Sequence, residues 1–595
     1  MRRLLGYLRR FWLRYAIGML CTFGTATLAM AVPTLLRSGI NAIQAGHYER
    51  LPKVALLIGL AAATMGVVRW FSRFMIFNAG RDIEYEIRKD LFTRLLWLGP
   101  QFFERFQTGD LMSRMINDIN ALRMMVGMGL LSAVNAPLYY IYALILMVSI
   151  NPRLTAASIT PYLIMFAIVR RISRSLMVRN LQVQEGLGRI GAKVQESLAG
   201  IHVIKAYCVE EHEAARFRRI NQEYNEQGLA LARLRGIMAP LVRLAAASSS
   251  MIVLIYGGSQ VIAHRMSLGD LVAFMGYLAQ LAWPTMSLSY LINIYQRGRA
   301  SLARLDQIFD APLPWAVTAL SDGRINSAQV EPEERIEIRG ALEWRNISFS
   351  YFAWLGNGKG GQAYALRDIN VAVPAGSKLA IVGRTGAGKS TMIKLLTRML
   401  EPTQGEVLID GRDIRELPLN RLRRVVGVVP QEANLFSQTI AYNVAFGRIE
   451  AGPETLSQAV DVAGLRSDLN AMPRGLQTIV GERGMALSGG QKQRVTIARA
   501  LVYDTPILVL DDALASVDTE TERNVLHNLA AAPGRHRTTV VVSHRASTVR
   551  DADLIIVLEQ GRIAERGTHQ SLMEQGGIYA ELFRRQLLEE ELAAY

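Results

Sequence analysis

Six long apolar stretches lie in the first 300 positions of the chain, and they constrain its fold more than any other feature. A helix that crosses a membrane needs about 20 mostly apolar residues. Half of the 595 residues are hydrophobic, and they are concentrated in this part of the chain. The sequence therefore predicts a six-helix all-α transmembrane domain, with spans in the windows 15–36, 54–77, 130–150, 154–170, 241–263 and 271–294.

The segments between the spans are of two kinds. Short turns join the third span to the fourth and the fifth span to the sixth. The segments at about 78–129 and 171–240, by contrast, are long and rich in Arg and Glu. Their apolar residues recur at helical spacing, so we expect the helices to continue far beyond the bilayer.

The formal net charge of +16 raises the question of a nucleic-acid partner, because Lys and Arg clusters bind phosphates. Arg-rich loops beside apolar segments are, however, typical of the cytoplasmic side of membrane proteins. We therefore expect no nucleic acid among the partners. Arg69 and Arg73, in the second span, either snorkel to the cytoplasmic boundary or contact a substrate in an internal cavity.

A phosphate-binding loop follows in the C-terminal half of the chain, in the stretch "GRTGAGKST". Glycines let the backbone turn its amides toward phosphates, Lys389 reaches the terminal phosphates, and Ser390 offers a hydroxyl to Mg²⁺. The preceding "KLAIVG" is typical of a strand and the following "TMIKLLTRML" of a helix. The predicted nucleotide-binding residues of this loop are Gly383, Arg384, Thr385, Gly386, Ala387, Gly388, Lys389, Ser390 and Thr391.

The stretch "ILVLDDALASVD" supplies a second part of such a site. Its apolar run is typical of a central strand that is buried on both faces. Such a strand delivers Asp511 to the Mg²⁺ ion at its carboxyl end, where ligands of parallel sheets bind.

A third stretch, "LSGGQKQR" at 487–494, identifies a family. Together with the two stretches above, it resembles the signature of ATP-binding cassette (ABC) proteins, and six spans followed by one cassette resemble an ABC exporter half-transporter. The resemblance implies an α/β P-loop nucleotide-binding domain after the membrane domain. We expect the membrane domain at 1–310, a linker at 311–336, and the nucleotide-binding domain with a C-terminal helix at 337–595.

The resemblance also implies roles for single residues. Tyr351 matches the aromatic residue that stacks on adenine, and Gln431 matches the glutamine that joins Mg²⁺ and senses the γ-phosphate. His544 matches the switch histidine that contacts this phosphate. Asp518 matches the aspartate of the loop that crosses the dimer interface.

The signature implies a dimer of cassettes. Ser488, Gly489 and Gly490 stand at the start of a predicted helix, whose exposed amides and dipole suit a phosphate. In the family these residues, with Gln491, cap the nucleotide that the other subunit holds. ATP binding then closes the cassettes and hydrolysis reopens them, so the spans alternate between inward and outward access.

Other segments resemble coupling elements of ABC exporters. The stretch "TIVGERG" at 478–484 matches a segment that couples cassette to membrane domain, and the two long polar segments match the two coupling regions. The insertion "FAWLGNGKGGQAY" after Tyr351 has no assigned role.

Asp512 departs from the family pattern, which usually has glutamate after the Mg²⁺-binding aspartate. The lost methylene withdraws the carboxylate by about 1.5 Å, and a misplacement of about 1 Å costs on the order of a hundredfold in rate. Asp512 is therefore predicted to be a weak catalytic base, as in one subunit of heterodimeric exporters. A homodimer with two slow but competent sites is the alternative.

These features predict an ATP-driven exporter or flippase of amphipathic drugs or lipids, with ATP and Mg²⁺ as cofactors and a second half-transporter as partner. The expected location is the plasma membrane of a bacterium, with the nucleotide-binding domain in the cytoplasm. The alternatives are a soluble-type ABC ATPase that acts on nucleic acid and a regulatory, non-transporting membrane ATPase.

Overall fold

The computed structural model describes residues 1–313, 338–351, 364–481, 484, 486–531, 537–543 and 545–594. The chain divides into two compact units. The first consists of Met1–Leu96 and Thr108–Asp310, and the second of Trp97–Gln107 and Ala311–Tyr595. Most of the linker predicted at 311–336 lies outside the described residues.

The described part of the first unit is built from helices and the turns that join them. A helix satisfies every backbone amide and carbonyl within its own segment, which a chain in lipid requires. Three π-helical turns, Arg114–Asp118, Met125–Gly129 and Val253–Gly257, and a 3₁₀ turn at Tyr48–Arg50 connect some of the α-helices. The α-helices numbered from the N-terminus are α1 (Arg2–Arg10), α2 (Trp12–Gln44), α3 (Leu51–Trp97), α4 (Pro100–Arg105, in the second unit), α5 (Thr108–Ser113), α6 (Ile119–Met124), α7 (Leu130–Ile150), α8 (Pro152–Ala199), α9 (Ile201–Ala206), α10 (Glu210–Ile252), α11 (Gly258–Ile262), α12 (Leu268–Gln280) and α13 (Ala282–Phe309).

Among the described residues, five helical segments are long and apolar enough to cross a membrane, and they match the first five predicted windows, the fifth to within one residue. The sixth window, 271–294, is shared by α12 and α13, which are separated at Leu281. A sixth span therefore stays a prediction. The five segments are Trp12–Gln44, Tyr48–Trp97, Thr108–Ile150, Pro152–Ala199 and Glu210–Ile262.

Several of these helices continue well past their apolar windows. α3 runs without interruption to Trp97, and α8 to Ala199. A buried carboxylate joins the turn Arg114–Asp118 to α13. The carboxylate of Asp118 is almost fully buried and accepts hydrogen bonds from the Ser301 hydroxyl at 2.9 Å and the Arg304 Nε at 2.8 Å. Arg69 and Arg73 on α3 are exposed within the first unit, so snorkelling and substrate contact both stay open.

The second unit contains two sheets. One is a four-stranded antiparallel sheet in the order β2-β1-β4-β5. The other has the order β10-β9-β3-β8-β7-β6, in which only the pair β10–β9 is antiparallel. The strands are β1 (Leu342–Phe349), β2 (Leu366–Val373), β3 (Lys378–Gly383), β4 (Gln404–Ile409), β5 (Arg412–Asp413), β6 (Val426–Val429), β7 (Ile507–Asp511), β8 (Thr538–Val542), β9 (Leu554–Glu559) and β10 (Arg562–Gly567).

Burial explains why these segments form strands. The side chains of β7 are buried along its apolar run, as expected for a strand covered on both faces. β8, which pairs with β7, and β3, on the other side of β8, are also largely buried, and residues of all three strands belong to one hydrophobic core. The helices that surround the sheets are α14 (Lys389–Leu396), α15 (Leu419–Val425), α16 (Ile440–Ala445), α17 (Pro453–Val462), α18 (Arg466–Ala471), α19 (Gly489–Leu501), α20 (Thr519–Ala531), α21 (Ala546–Val549), α22 (His569–Gln575) and α23 (Ile578–Ala594).

A fully buried amide, Asn443, fixes the segment before α16. Its Oδ1 accepts hydrogen bonds from the Phe436 N–H at 2.8 Å and Arg499 Nη2 at 2.9 Å. Its Nδ2 donates to the carbonyls of Phe436 at 2.9 Å and Thr439 at 3.0 Å. All the hydrogen-bonding capacity of this amide is therefore used inside the fold.

We expect Asn443→Ala to destabilise the second unit by about 2–3 kcal/mol, because it leaves buried donors and acceptors without partners. The melting temperature should fall by about 4–10 °C, measured by tryptophan fluorescence of the full chain in detergent. Asn420→Ala is the control, since Asn420 is exposed and bonds only the adjacent Arg421 N–H among described partners. Equal decreases in melting temperature in Asn443→Ala and Asn420→Ala would contradict the conclusion that the hydrogen bonds of the buried Asn443 amide stabilise the second unit.

Candidate nucleotide-binding site

The sheet order brings the predicted phosphate loop and Asp511 to one edge. β3 and β7 both pair in parallel with β8, which lies between them. Ile381 of β3 and Asp511 of β7 have the same partner, Val542 of β8. The three strands therefore end side by side, and the segments that follow them share the carboxyl edge of the sheet, where ligands of such sheets bind.

The backbone of the phosphate loop has a conformation that excludes larger residues. Gly388 has φ +104°, and a Cβ atom there would lie 2.6 Å from Leu366 Cδ2 and 2.8 Å from the Ala365 carbonyl. A Cβ atom at Gly383, with φ +155°, would lie 2.4 Å from the Leu558 carbonyl. Glycine is therefore required at both positions, and α14 begins directly afterwards, so its N-terminal amides face the loop.

Lys389 lies inside this loop. Its side chain is buried, and its Nζ donates to the carbonyl oxygens of Gly383 at 2.8 Å and Arg384 at 3.1 Å. Burial lowers the pKa of Lys389, and the negative charges of Asp512 and Asp511 oppose this shift. The ammonium group is thus held beside the loop amides, where it would meet the terminal phosphates of a nucleotide.

Ser390 and Asp511 form a pair of hard oxygen ligands. The Ser390 hydroxyl donates to Asp511 Oδ1 over 3.3 Å. Burial raises the pKa of Asp511, an effect that the Ser390 hydrogen bond partly offsets. A divalent cation would stabilise the charged carboxylate, and Mg²⁺ prefers one or two protein oxygens together with phosphates and water. The two side chains therefore fit Mg²⁺.

Tyr351 lies next to the end of the phosphate loop. Its hydroxyl is 3.2 Å from Thr391 Oγ1, and its ring meets Phe349 edge-on with centroids 4.9 Å apart. Tyr351 remains 37% exposed. Gln431 is exposed two residues beyond the end of β6.

The predicted signature residues form the start of α19. Ser488 is the N-cap, and its Oγ accepts the Gln491 N–H at 3.3 Å while its own N–H donates to Gln491 Oε1 at 3.0 Å. This capping box leaves the N–H groups of Gly489 and Gly490 in the first turn of a 13-residue helix. Such a turn suits an anion through its amides and the helix dipole.

Asp518 caps the next helix, α20. Its Oδ1 accepts the Thr521 N–H at 2.8 Å. This backbone hydrogen bond lowers the pKa of Asp518, so the carboxylate is charged at neutral pH. The loop between β7 and α20 is therefore fixed at both ends.

Some predicted residues lie outside the described part of the chain. These are His544, residues 482, 483 and 485 of the "TIVGERG" segment, and residues 352–363 of the insertion after Tyr351. Sequence reasoning also missed Arg545, which bonds the loop that carries Asp518. The sequence signal that could have indicated Arg545 is its position directly after His544, the predicted switch histidine.

Together these features define a class of protein: a P-loop nucleotide-binding domain of the ABC type, in a chain whose other unit consists of membrane-length helices. Comparisons with known proteins agree with this class. Residues 15–285 match the ABC transporter transmembrane region, and residues 366–515 match the ABC transporter domain. The resemblance and the fold class inferred from the sequence are thereby confirmed.

Relatives cover nearly the whole chain. It is 34% identical over 592 residues to the probable multidrug resistance ABC transporter ATP-binding/permease protein YheI of Bacillus subtilis, covering 99% of this chain and 98% of the relative. It is 30% identical over 591 residues to the ATP-dependent lipid A-core flippase of Methylococcus capsulatus, covering 98% and 94%. A solved bacterial Atm1-family ABC exporter with ATP bound has a TM-score of 0.78 at 28% identity, covering 97% of this chain and 99% of that chain. The chain therefore belongs to the ABC transporter family, whose cassettes bind ATP.

We expect Gly388→Ala to lower the affinity for MgATP at least about tenfold. The new Cβ would displace the loop, and each lost hydrogen bond to a charged phosphate costs about 1.5–3 kcal/mol, which is tenfold or more. Equilibrium binding of radiolabelled ATP to the full chain measures this. Gly411→Ala is the control, because Gly411 has φ +78° with nothing near its Cβ and lies in the β4–β5 turn. If Gly388→Ala bound MgATP as tightly as the unmodified chain, the assignment of residues 383–391 as the phosphate-binding loop would be refuted.

Proposed function

We propose that this chain is one subunit of an ATP-driven ABC exporter or flippase that moves amphipathic drugs or lipids across the bacterial plasma membrane. We further propose that it contributes a catalytically weak ATP site to a heterodimer. Family membership and relatives named for multidrug resistance and for lipid A-core flipping support the first part. The second part depends on one residue, Asp512.

The backbone around Asp512 supports the weak-site proposal. Its N–H donates to the Val542 carbonyl at 2.9 Å, which extends the pairing of β7 with β8 by one residue. Its carbonyl accepts the Ala515 N–H at 3.2 Å. Asp512 also has φ +50°, a left-handed conformation that aspartate tolerates better than most side chains.

These bonds oppose a backbone shift that would compensate for the short side chain. A general base must come within about 2.6–3.2 Å of the proton that it takes. With its Cα held by the strand ladder, the Asp512 carboxylate falls short of the position of a glutamate carboxylate by about 1.5 Å. The attacking water would therefore be poorly oriented in this site.

The other residues of the site are present for binding. Lys389 and the amides of the loop would hold the phosphates, Ser390 and Asp511 would hold Mg²⁺, and Tyr351 would contact the base. Bound MgATP supplies the phosphoryl group and the charge that draws two cassettes together. This chain's capped signature helix would complete the ATP site of a partner, whose base would perform most of the hydrolysis.

Alternating access then follows from differences in affinity for nucleotide. ATP favours closed cassettes, and its loss at the partner's site favours open ones. The spans would change access with this two-state equilibrium. The soluble-type ATPase acting on nucleic acid is not retained, because residues 15–285 match a transmembrane region.

A homodimer with two slow but competent sites remains the second candidate. The sequence retains His544, the counterpart of the family's switch histidine, and this favours a competent site. The two candidates differ in the ATPase activity of the purified chain.

We expect the unmodified chain, purified alone and placed in lipid, to hydrolyse ATP very slowly. Asp512→Glu should raise the turnover number on the order of 10–100-fold, because the longer side chain restores the reach of the base. Steady-state phosphate release measures both values. Asp504→Glu is a matched control: Asp504 also has a left-handed backbone, φ +48°, but pairs with Arg537 at the other end of β7.

Two results would refute the weak site. Turnover by the unmodified chain of the order of 1 s⁻¹ or more, as in ordinary enzymes, would show that Asp512 is a competent base. The same change in both variants would show that the side-chain length at Asp512 is irrelevant.

A further inference from the structure

Arg545 connects the segment after β8 to the loop that follows β7. Its Nη1 donates to the Val517 carbonyl at 2.8 Å, and its Nη2 donates to the Ala515 carbonyl at 2.9 Å. Its backbone N–H is bonded to the Ser543 hydroxyl at 3.0 Å. One guanidinium group thus holds two carbonyls of loop 513–518, and its own backbone is fixed to the end of β8.

A buried carboxylate fixes this guanidinium. Glu522 on α20 is fully buried, and it forms an ion pair with Arg545 and accepts a hydrogen bond from the Thr548 hydroxyl of α21. A buried charge of this kind is stable only when it is paired and hydrogen-bonded. The position of Arg545 is therefore determined by the interior of the second unit and not by solvent.

The other side of loop 513–518 contacts the signature helix. The Ser516 N–H donates to Gln493 Oε1 of α19 at 3.0 Å. A Cβ atom at Gly490 would lie 3.0 Å from the Ser516 carbonyl, so the loop touches the first turn of α19. Contacts therefore run without a gap from the end of β8, through Arg545 and the loop, to the signature helix.

The sheet order shows what this path joins. β8 ends between β3, which leads into the phosphate loop, and β7, which leads to Asp511. A nucleotide bound at this edge lies beside the end of β8. The signature helix, in contrast, resembles the family element that caps the nucleotide held by the other subunit, and its first turn contains the N–H groups of Gly489 and Gly490.

We infer that Arg545 is a positioning residue that couples the nucleotide at this chain's own sheet edge to the placement of its signature helix through loop 513–518. In a dimer, each chain would contribute its sheet edge to one ATP site and its signature helix to the other. Nucleotide binding at the first site would thereby affect the second. This coupling needs binding only, so it holds whether or not Asp512 supports hydrolysis.

Lysine cannot perform this role. Arginine presents five donors in a rigid planar fork, whereas lysine is a flexible point charge. Lysine at 545 would keep the charge pair with Glu522 but could not hold the Ala515 and Val517 carbonyls in fixed directions at the same time. Arg545→Lys therefore separates the positioning role from the burial of a charge.

Hydrogen–deuterium exchange of the full chain in lipid nanodiscs tests the coupling. In the unmodified chain, MgATP should slow exchange of the phosphate loop at 383–391, of loop 513–518 and of the start of α19, each at least about threefold. In Arg545→Lys the slowing at 383–391 should remain, and the slowing at 513–518 and in α19 should be lost.

Matched variants complete the experiment. Arg550→Lys is the control, because Arg550 lies nearby in the chain on the surface and, within the described residues, forms an ion pair with its neighbour Asp551. It should respond to MgATP like the unmodified chain. Glu522→Gln keeps the side-chain size, removes the charge that fixes Arg545 and should weaken the response at 513–518, so it decides the question if Arg545→Lys does not fold.

Two outcomes would overturn the inference. One is a response of loop 513–518 to MgATP that is the same in Arg545→Lys, Glu522→Gln and the unmodified chain. The other is an unmodified chain whose phosphate loop is slowed by MgATP while loop 513–518 and α19 are not. Absence of slowing at 383–391 itself would instead contradict the assignment of the nucleotide site.

Discussion

The parallel pairing of β3, β8 and β7 is the constraint on which the rest of the second unit depends. Because Ile381 and Asp511 share Val542 as a partner, the phosphate loop, the segment before Arg545 and the loop with Asp518 all leave one edge of the sheet. Three segments distant in sequence thereby meet at one edge of the sheet.

The same pairing limits the chemistry. It holds Asp511 beside Ser390, which suits Mg²⁺, and it continues for one residue to fix the backbone of Asp512. A rigid edge is an advantage for binding, because the amides and Lys389 are already in position. It is a disadvantage for Asp512, whose side chain is one methylene shorter than that of glutamate, because the fixed backbone cannot move to bring the carboxylate closer. Tight binding with slow hydrolysis is therefore the combination that we propose for this site.

Local motifs could be predicted from the sequence because each needs only a few neighbouring residues. The glycines of the phosphate loop and the helix that starts at Ser488 are of this kind, and the structure forms both. The role of Arg545 could not be found in this way, since its acceptors are backbone carbonyls, which any residue supplies. The break at Leu281 was also missed, because an apolar window records hydrophobicity and not the continuity of a helix.

We propose that this chain binds MgATP at the edge of its parallel sheet and holds it unhydrolysed. The most direct measurement loads the full chain in lipid with MgATP, removes free nucleotide by rapid gel filtration and identifies the retained nucleotide by chromatography. We expect about one retained nucleotide per chain, recovered mainly as ATP. Recovery of no nucleotide, or of ADP alone, would contradict it.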